Sequence, residues 1–187
     1  MSAAPFVLTA DQLCTVAGLK HPHLALLKPD ASPRSFFDSL LHAGYHTEAV
    51  MYLAHAIPAR EGIWWAWSVA RKTVVPESAE AAALKLVEQW IATLSDDTRR
   101  ACKKASSRLP QNGAVAALCD AVFFTGNLGE PGASVIPAPV FSSSKFVAAC
   151  IILCAYLADP HQPLPQFQSC LNQGLEVVRR IALWPST

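Results

Sequence analysis

Two histidines are spaced as metal ligands often are, because His42 and His46 stand four residues apart. Side chains at that spacing share a face when they lie on one helix. Gly44 stands between them, however, and glycine is typical of a helix end. No third ligand follows at the close spacing of a zinc motif. We therefore predict no metal site and expect both histidines to be ordinary polar residues.

A catalytic group is equally hard to place along the chain. His161 follows Asp159 in a stretch that favours a turn, but catalytic partners meet in space rather than in sequence. The motifs of serine hydrolases, zinc proteases and phosphate-binding loops are missing. The stretch GNLGEPG, residues 126–132, has glycines without the Lys-Ser/Thr pair that a phosphate loop needs. We assign no catalytic residue, no metal and no cofactor.

Basic residues gather in one stretch, TRRACKKASSR, residues 98–108. Arg100, Lys104 and Arg108 are four apart, so a helix places them on one face. A solvated helix face explains this pattern, and a surface for an acidic protein partner is the alternative. Nucleic acid is disfavoured, because its sites need a broader basic surface and often stacking aromatics.

Three tryptophans, Trp64, Trp65 and Trp67, occupy four consecutive positions. On a helix they point in different directions, and a helix that is apolar all round is normally central in its fold. We expect two of them in the core and one at the surface. An outward tryptophan can anchor a partner, since tryptophan is enriched at interface hot spots.

Helical periodicity dominates the chain, and several helix starts are marked locally. Thr9 with Gln12 matches a capping box, and Ser32 followed by Pro33 matches a capped first turn. The stretch SDD, residues 95–97, is expected to end one helix and cap the next. Pro76 is predicted at the first position of a further helix. The sequence predicts an all-α fold: a single compact helical domain of about seven or eight helices, possibly arranged as helical hairpins or a bundle.

The domain is predicted to have two parts. Residues 1–31 form a short helix and an irregular segment that packs on the core, and residues 32–187 form the helical domain. A Gly/Pro-rich loop at 126–144 interrupts that domain. Loops of this length inside a compact domain are often functional.

Composition narrows the class of protein. Charged residues make up 16% and hydrophobic residues 52% of the 187 residues, with a net charge of +1, whereas an ordinary soluble domain is roughly 25% charged. The longest apolar run, residues 146–158, is shorter than the roughly 18–20 residues that span a bilayer. The first residues do not resemble a signal peptide. The six cysteines form no CxxC pair, so we expect buried free thiols and a cytoplasmic protein.

Three stretches resemble a family of functionally uncharacterised bacterial helical domains. They are AIPAREGIWWAW, the Pro-rich GEPGASVIPAP before an apolar helix, and the terminal RRIALWP. The resemblance covers residues 35–185. It implies a helical fold and a bacterial cytoplasmic accessory protein, and it implies no catalytic residues.

Charge-poor composition leads to the functional hypothesis. A chain with few charges and no membrane span tends to expose apolar patches, and large patches mark partner sites. We therefore expect a non-enzymatic protein–protein interaction module: a bacterial adaptor, chaperone-like or assembly accessory protein that binds a protein partner or forms a homo-oligomer. The expected partner-binding residues are Arg60, Trp67, Arg100 and Lys104.

The alternative is a small helical enzyme. Its site would lie under the 126–144 loop and would use His161 or His46 with a carboxylate. This hypothesis predicts a polar pocket in which histidine and acidic side chains converge.

Overall fold

The structure is a computed structural model that describes residues 8–130 and 132–184. Within those residues the chain forms nine α-helices and one short 3₁₀ turn, His23–Leu26, and no strand. The helices are α1 Ala10–Ala17, α2 Pro33–His42, α3 His46–Ala56, α4 Ala59–Ala70, α5 Ala79–Thr93, α6 Asp96–Ser106, α7 Ala114–Phe123, α8 Ser142–Ala158 and α9 Leu164–Arg180. The predicted all-α class is confirmed.

Local capping chemistry sets several helix starts as predicted. Both bonds of the Thr9–Gln12 capping box are present at the start of α1. The Ser32 side chain accepts a hydrogen bond from the Ser35 N–H, with Pro33 in the first turn of α2. Ser95 caps α6 in the same way. These starts were readable because each depends on residues at most three positions apart.

Three predictions about the elements were wrong. The count of seven or eight helices is too low, because the described residues form nine. Pro76 lies in a turn, and Ser78 caps α5 instead through a bond from the Ala81 N–H. The long loop ends earlier than predicted, at residue 141, because the three serines 142–144 form the first turn of α8.

Helix α8 lies at the centre of the packing and contacts α3, α4, α7 and α9. Its sequence from Phe146 to Ala158 carries no charge, which suits a helix that is surrounded by others. The N-terminal helix α1 packs on α2 and α3, and its Leu13 belongs to the same core. Among the described residues, no helix combines the length and the apolar character that crossing a membrane requires.

The tryptophan helix α4 buries one indole completely and two partly. Trp65 is fully buried, and its indole N–H donates to the Cys170 carbonyl oxygen on α9 at 2.8 Å. Trp64 and Trp67 are half-buried, so the expected division into two core tryptophans and one surface tryptophan is wrong. Helices α5 and α9 both pack against α4 and cover part of its surface, which the sequence did not indicate.

Candidate functional site

A buried arginine fixes the beginning of the loop between α7 and α8, residues 124–141. The Arg99 guanidinium donates to the carbonyl oxygens of Phe123 at 2.6 Å and Asn127 at 2.5 Å. It also pairs with the Asp96 carboxylate, and it lies 5.2 Å from the centre of the Phe123 ring. A buried charge is tolerated only when it is paired and hydrogen-bonded, and these contacts meet that requirement.

A second arginine holds the next turn of the same loop. Arg100 donates to the Gly129 carbonyl oxygen at 2.6 Å and to the second Asp96 oxygen at 2.7 Å. The hydrogen bonds from Arg100 and Arg99 lower the pKa of the Asp96 carboxyl below its ordinary value. Asp96 therefore stays ionised and links the two guanidinium groups that hold the loop.

The loop folds back on itself through one side chain. The Asn127 amide oxygen accepts hydrogen bonds from the N–H groups of Gly129 at 2.9 Å and Ile136 at 2.7 Å. The Leu128 N–H donates to the Ile136 carbonyl oxygen at 2.8 Å. Gly129 is required at this turn, because a β-carbon there would lie 2.4 Å from the Ser134 carbonyl oxygen. The loop therefore has a defined shape.

The far side of this loop is an exposed apolar segment, residues 135–140. Val135 is 76% exposed, Ile136 54% and Val140 77%. Val135 and Val140 are the two most exposed large hydrophobic side chains among the described residues. Single exposed hydrophobic residues are normal on a protein surface, but a cluster of them indicates a binding surface.

Behind the apolar segment lies a cavity of about 750 Å³. Its walls come from the loop, from the start of α8, from the end of α3 and from Leu8, Leu183 and Trp184. The lining is mostly apolar and includes a single histidine, His55, with no acidic side chain among the described residues. The enzyme hypothesis placed His46 or His161 beneath the loop, and neither lines this cavity.

The histidines of the enzyme hypothesis, and His42 of the metal-ligand spacing, have local roles. Nδ1 of His42 lies 2.6 Å from the Asp38 carbonyl oxygen, and Nδ1 of His46 lies 2.9 Å from that of Gly44. His161 is exposed in a turn, where the Asp159 carboxylate accepts from its backbone N–H rather than from its ring. In the described part of the chain, no three His, Cys, Asp or Glu residues converge as a metal site.

The four predicted partner-binding residues make different contacts. Arg60 donates to the Ile91 carbonyl oxygen, and the Trp67 indole donates to that of Leu84. Both therefore connect α4 to α5. Arg100 holds the loop, whereas Lys104 is exposed one turn further along α6.

All six cysteines are buried free thiols. Burial raises the pKa of Cys14 and of Cys170 to about 11. The Cys150 thiol donates a hydrogen bond to Cys154, and this bond together with burial raises the pKa of Cys150 as well. A thiol that stays protonated at neutral pH is a poor nucleophile and a poor metal ligand. Cys14, Cys150 and Cys170 therefore act as small core residues, whereas hydrogen bonds from Cys119 and Cys150 lower the pKa of Cys102 and Cys154, respectively.

Sequence reasoning missed the two main features of this region. Val135, Ile136 and Val140 were recognised only as part of a Gly/Pro-rich loop, although three β-branched residues in an uncharged stretch were visible. His55 had no local motif at all, because its surroundings come from α8 and the loop, at least 69 residues away.

The chain belongs to a family of unknown function, DUF6931, whose model matches residues 36–178. The matched region lies inside residues 35–185, so the predicted resemblance to a functionally uncharacterised family is confirmed. It includes the tryptophan helix, both arginines and the whole loop. No curated protein and no solved structure matches the chain.

Proposed function

We propose that the protein is a non-enzymatic protein–protein interaction module and that the apolar segment, residues 135–140, is its contact surface. The observation that carries this proposal is the exposure of Val135, Ile136 and Val140 on a loop of defined shape. We assign the protein the role of an adaptor or assembly accessory in the bacterial cytoplasm.

Pre-organisation is the first physical support. A segment that is already held in its bound shape loses less conformational entropy when a partner covers it. Arg99 and Arg100 hold the base of the loop, and Asn127 holds its fold-back. These bonds leave the apolar side chains outside, where they contact solvent rather than the core.

The composition of the segment indicates the chemistry of the partner. Residues 131–144 carry no charge, so a complementary surface is apolar. Pro137 and Pro139 have no backbone N–H, which makes the segment a poor strand for extending a sheet. An apolar groove that accepts an extended, proline-containing segment suits these features better. We therefore propose a protein partner with such a groove.

The test compares three variants in affinity capture from the source organism, with mass spectrometry of the captured proteins. Val135→Ser and Val140→Ser each remove an exposed apolar contact. Each is expected to weaken binding of the specific partner by about tenfold, since burying a valine side chain contributes about 1.5 kcal/mol.

Val75→Ser is the matched control, because Val75 is 70% exposed but lies in the turn before α5. It is expected to leave capture unchanged. An equal loss of captured protein in all three variants would show non-specific hydrophobic binding instead of binding through a specific surface. Size-exclusion chromatography of the purified chain examines self-association: a dimer that Val140→Ser dissociates would replace the partner with a second copy.

A further inference from the structure

Two residues that line the cavity behind the loop carry buried polar atoms without hydrogen-bond partners among the described residues. His55 is 5% exposed and Ser143 is 7% exposed, and both residues line the cavity. His55 Nε2 and Ser143 Oγ are buried and have no hydrogen-bond partner among the described residues. Buried polar atoms are nearly always paired, so two unpaired atoms in one cavity wall need an explanation.

The protonation state of His55 follows from its one hydrogen bond. Its Nδ1 lies 2.7 Å from the Met51 carbonyl oxygen, which only accepts, so Nδ1 carries the proton. Burial lowers the pKa of His55 below its ordinary value, and Lys145 lowers it further, against the opposing effect of the Met51 bond. The ring is therefore neutral at pH 7, and Nε2 is a bare acceptor.

The start of α8 adds hydrogen-bond donors at the same end of the cavity. Ser142, Ser143 and Ser144 all line it. No side chain caps this helix, and the N–H groups of Ser143 and Ser144 have no partner among the described residues. The first turn of a 17-residue helix carries partial positive charge and favours an anion.

We propose that this cavity binds a small monocarboxylate with an apolar body, whose carboxylate lies at the start of α8 between Ser143 and His55. The Ser143 hydroxyl and the free N–H groups donate to the carboxylate. His55 takes up a proton from solvent and donates through Nε2. The apolar body lies against the remaining wall, which includes Ile57, Phe124 and Trp184.

Charge limits the ligand to one negative group. His55 is the only titratable side chain among the described lining residues, and Lys145, the charged neighbour that acts on it, is exposed. A second buried charge would remain unpaired at high cost. The Phe141 ring, which also lines the cavity, lies 5.8 Å from the His55 ring.

The test uses three probes with the same chain length: octanoate, 1-octanol and octylammonium. Isothermal titration calorimetry with the full chain is expected to show octanoate binding at least tenfold tighter than either of the others. Ring resonances of His55 and Phe141 are expected to shift in NMR spectra during the octanoate titration. Equal affinity for octanol, or preference for octylammonium, overturns the assignment.

Two variants, one at Ser143 and one at His55, test the proposed carboxylate contacts in the cavity. Ser143→Ala is expected to weaken octanoate binding about tenfold, as loss of one hydrogen bond to a charged group does. Its binding of octanol should change less than twofold. A change that is the same for both probes means that the variant altered the cavity as a whole, and it overturns the role of Ser143.

The variant His55→Gln tests whether His55 takes up a proton when octanoate binds. Wild-type affinity for octanoate is expected to rise about tenfold from pH 8 to pH 6, because binding raises the pKa of His55 while octanoate stays ionised. The variant should lose this pH dependence. His42→Gln is the matched control, because His42 makes the same bond to a carbonyl four residues earlier but lies outside the cavity. An unchanged pH profile in His55→Gln overturns the proposal.

Discussion

Arg99 shows how a single buried charge can define a surface far from itself in sequence. Its side chain is 4% exposed, and it contacts backbone carbonyls up to 28 residues away. Gly126 makes this approach possible, since a β-carbon there would lie 3.0 Å from the Arg99 Nε. Removing one partner of such a buried charge lowers the free energy of unfolding by more than the loss of a surface ion pair does. The reason is that the other partner stays buried and unpaired.

Asp96→Asn tests this network as a function of pH. The folded pKa of Asp96 is below its ordinary value of 3.8, so its contribution to stability is complete above that value. The contribution disappears as the pH falls through the folded pKa. We expect the variant to lose about 1 kcal/mol of unfolding free energy at pH 7, less than for a fully buried pair because water screens the half-exposed carboxylate.

Urea denaturation from pH 7 to pH 3 measures this effect. The difference between wild type and Asp96→Asn should shrink as the pH falls below 3.8. Asp97→Asn is the control, because it makes the same change of charge in the same exposed helical turn. If both variants lose equal stability, the helix dipole rather than the arginine contacts explains the loss.

At the scale of elements, α4 and α9 pack around the Trp65 indole. A β-carbon on Gly174 would lie 2.7 Å from the Trp65 ring and 2.8 Å from a Leu53 methyl group. Glycine within a helix is normally unfavourable, so its presence in the middle of α9 has a packing reason. The absence of a side chain lets α9 approach the tryptophan and supply the Cys170 carbonyl oxygen to its N–H.

Gly174→Ala is therefore expected to destabilise the protein by about 1–3 kcal/mol, the usual range for overpacking a core. Gly62→Ala in α4 is the matched control, since the nearest atom to its β-carbon would lie at an ordinary 3.7 Å. That variant should gain about 0.5–1 kcal/mol from helix propensity. Thermal and urea unfolding of the two variants compare them directly. Equal changes in both would mean that α9 does not approach Trp65 so closely.

Whether a feature could be predicted from the sequence depends on how far apart along the chain the interacting residues lie. The helix starts at Thr9 and Ser32 depend on neighbours within one turn and were correct. The roles of Arg100 and His55 depend on residues far along the chain and were not predictable. The basic stretch 98–108 illustrates both cases, because its helical spacing was visible and its attachment to the loop was not.

At the scale of the whole molecule, the chain has few charged residues, and several of them contact other parts of the fold. Arg99 and Arg100 donate hydrogen bonds to backbone carbonyl oxygens of the loop, and Lys103 pairs with Asp120 at 2.9 Å. Of the basic residues expected on a solvated helix face, Arg100 therefore stabilises the fold, whereas Lys104 and Arg108 are exposed. The expectation that a charge-poor chain exposes apolar side chains agrees with the exposure of residues 135–140.

Arg100→Gln and Lys104→Gln separate the two interpretations of that basic face, since they make the same change of charge one turn apart. Arg100 holds the loop, so its loss should speed amide exchange at Leu128, Gly129 and Ile136 about tenfold and weaken partner capture, with helicity unchanged. Lys104→Gln should leave both measurements as in wild type, because Lys104 is exposed and does not hold the loop. If capture falls equally in both variants without faster exchange, the partner binds the charges on α6 directly, and the apolar segment is not the contact surface.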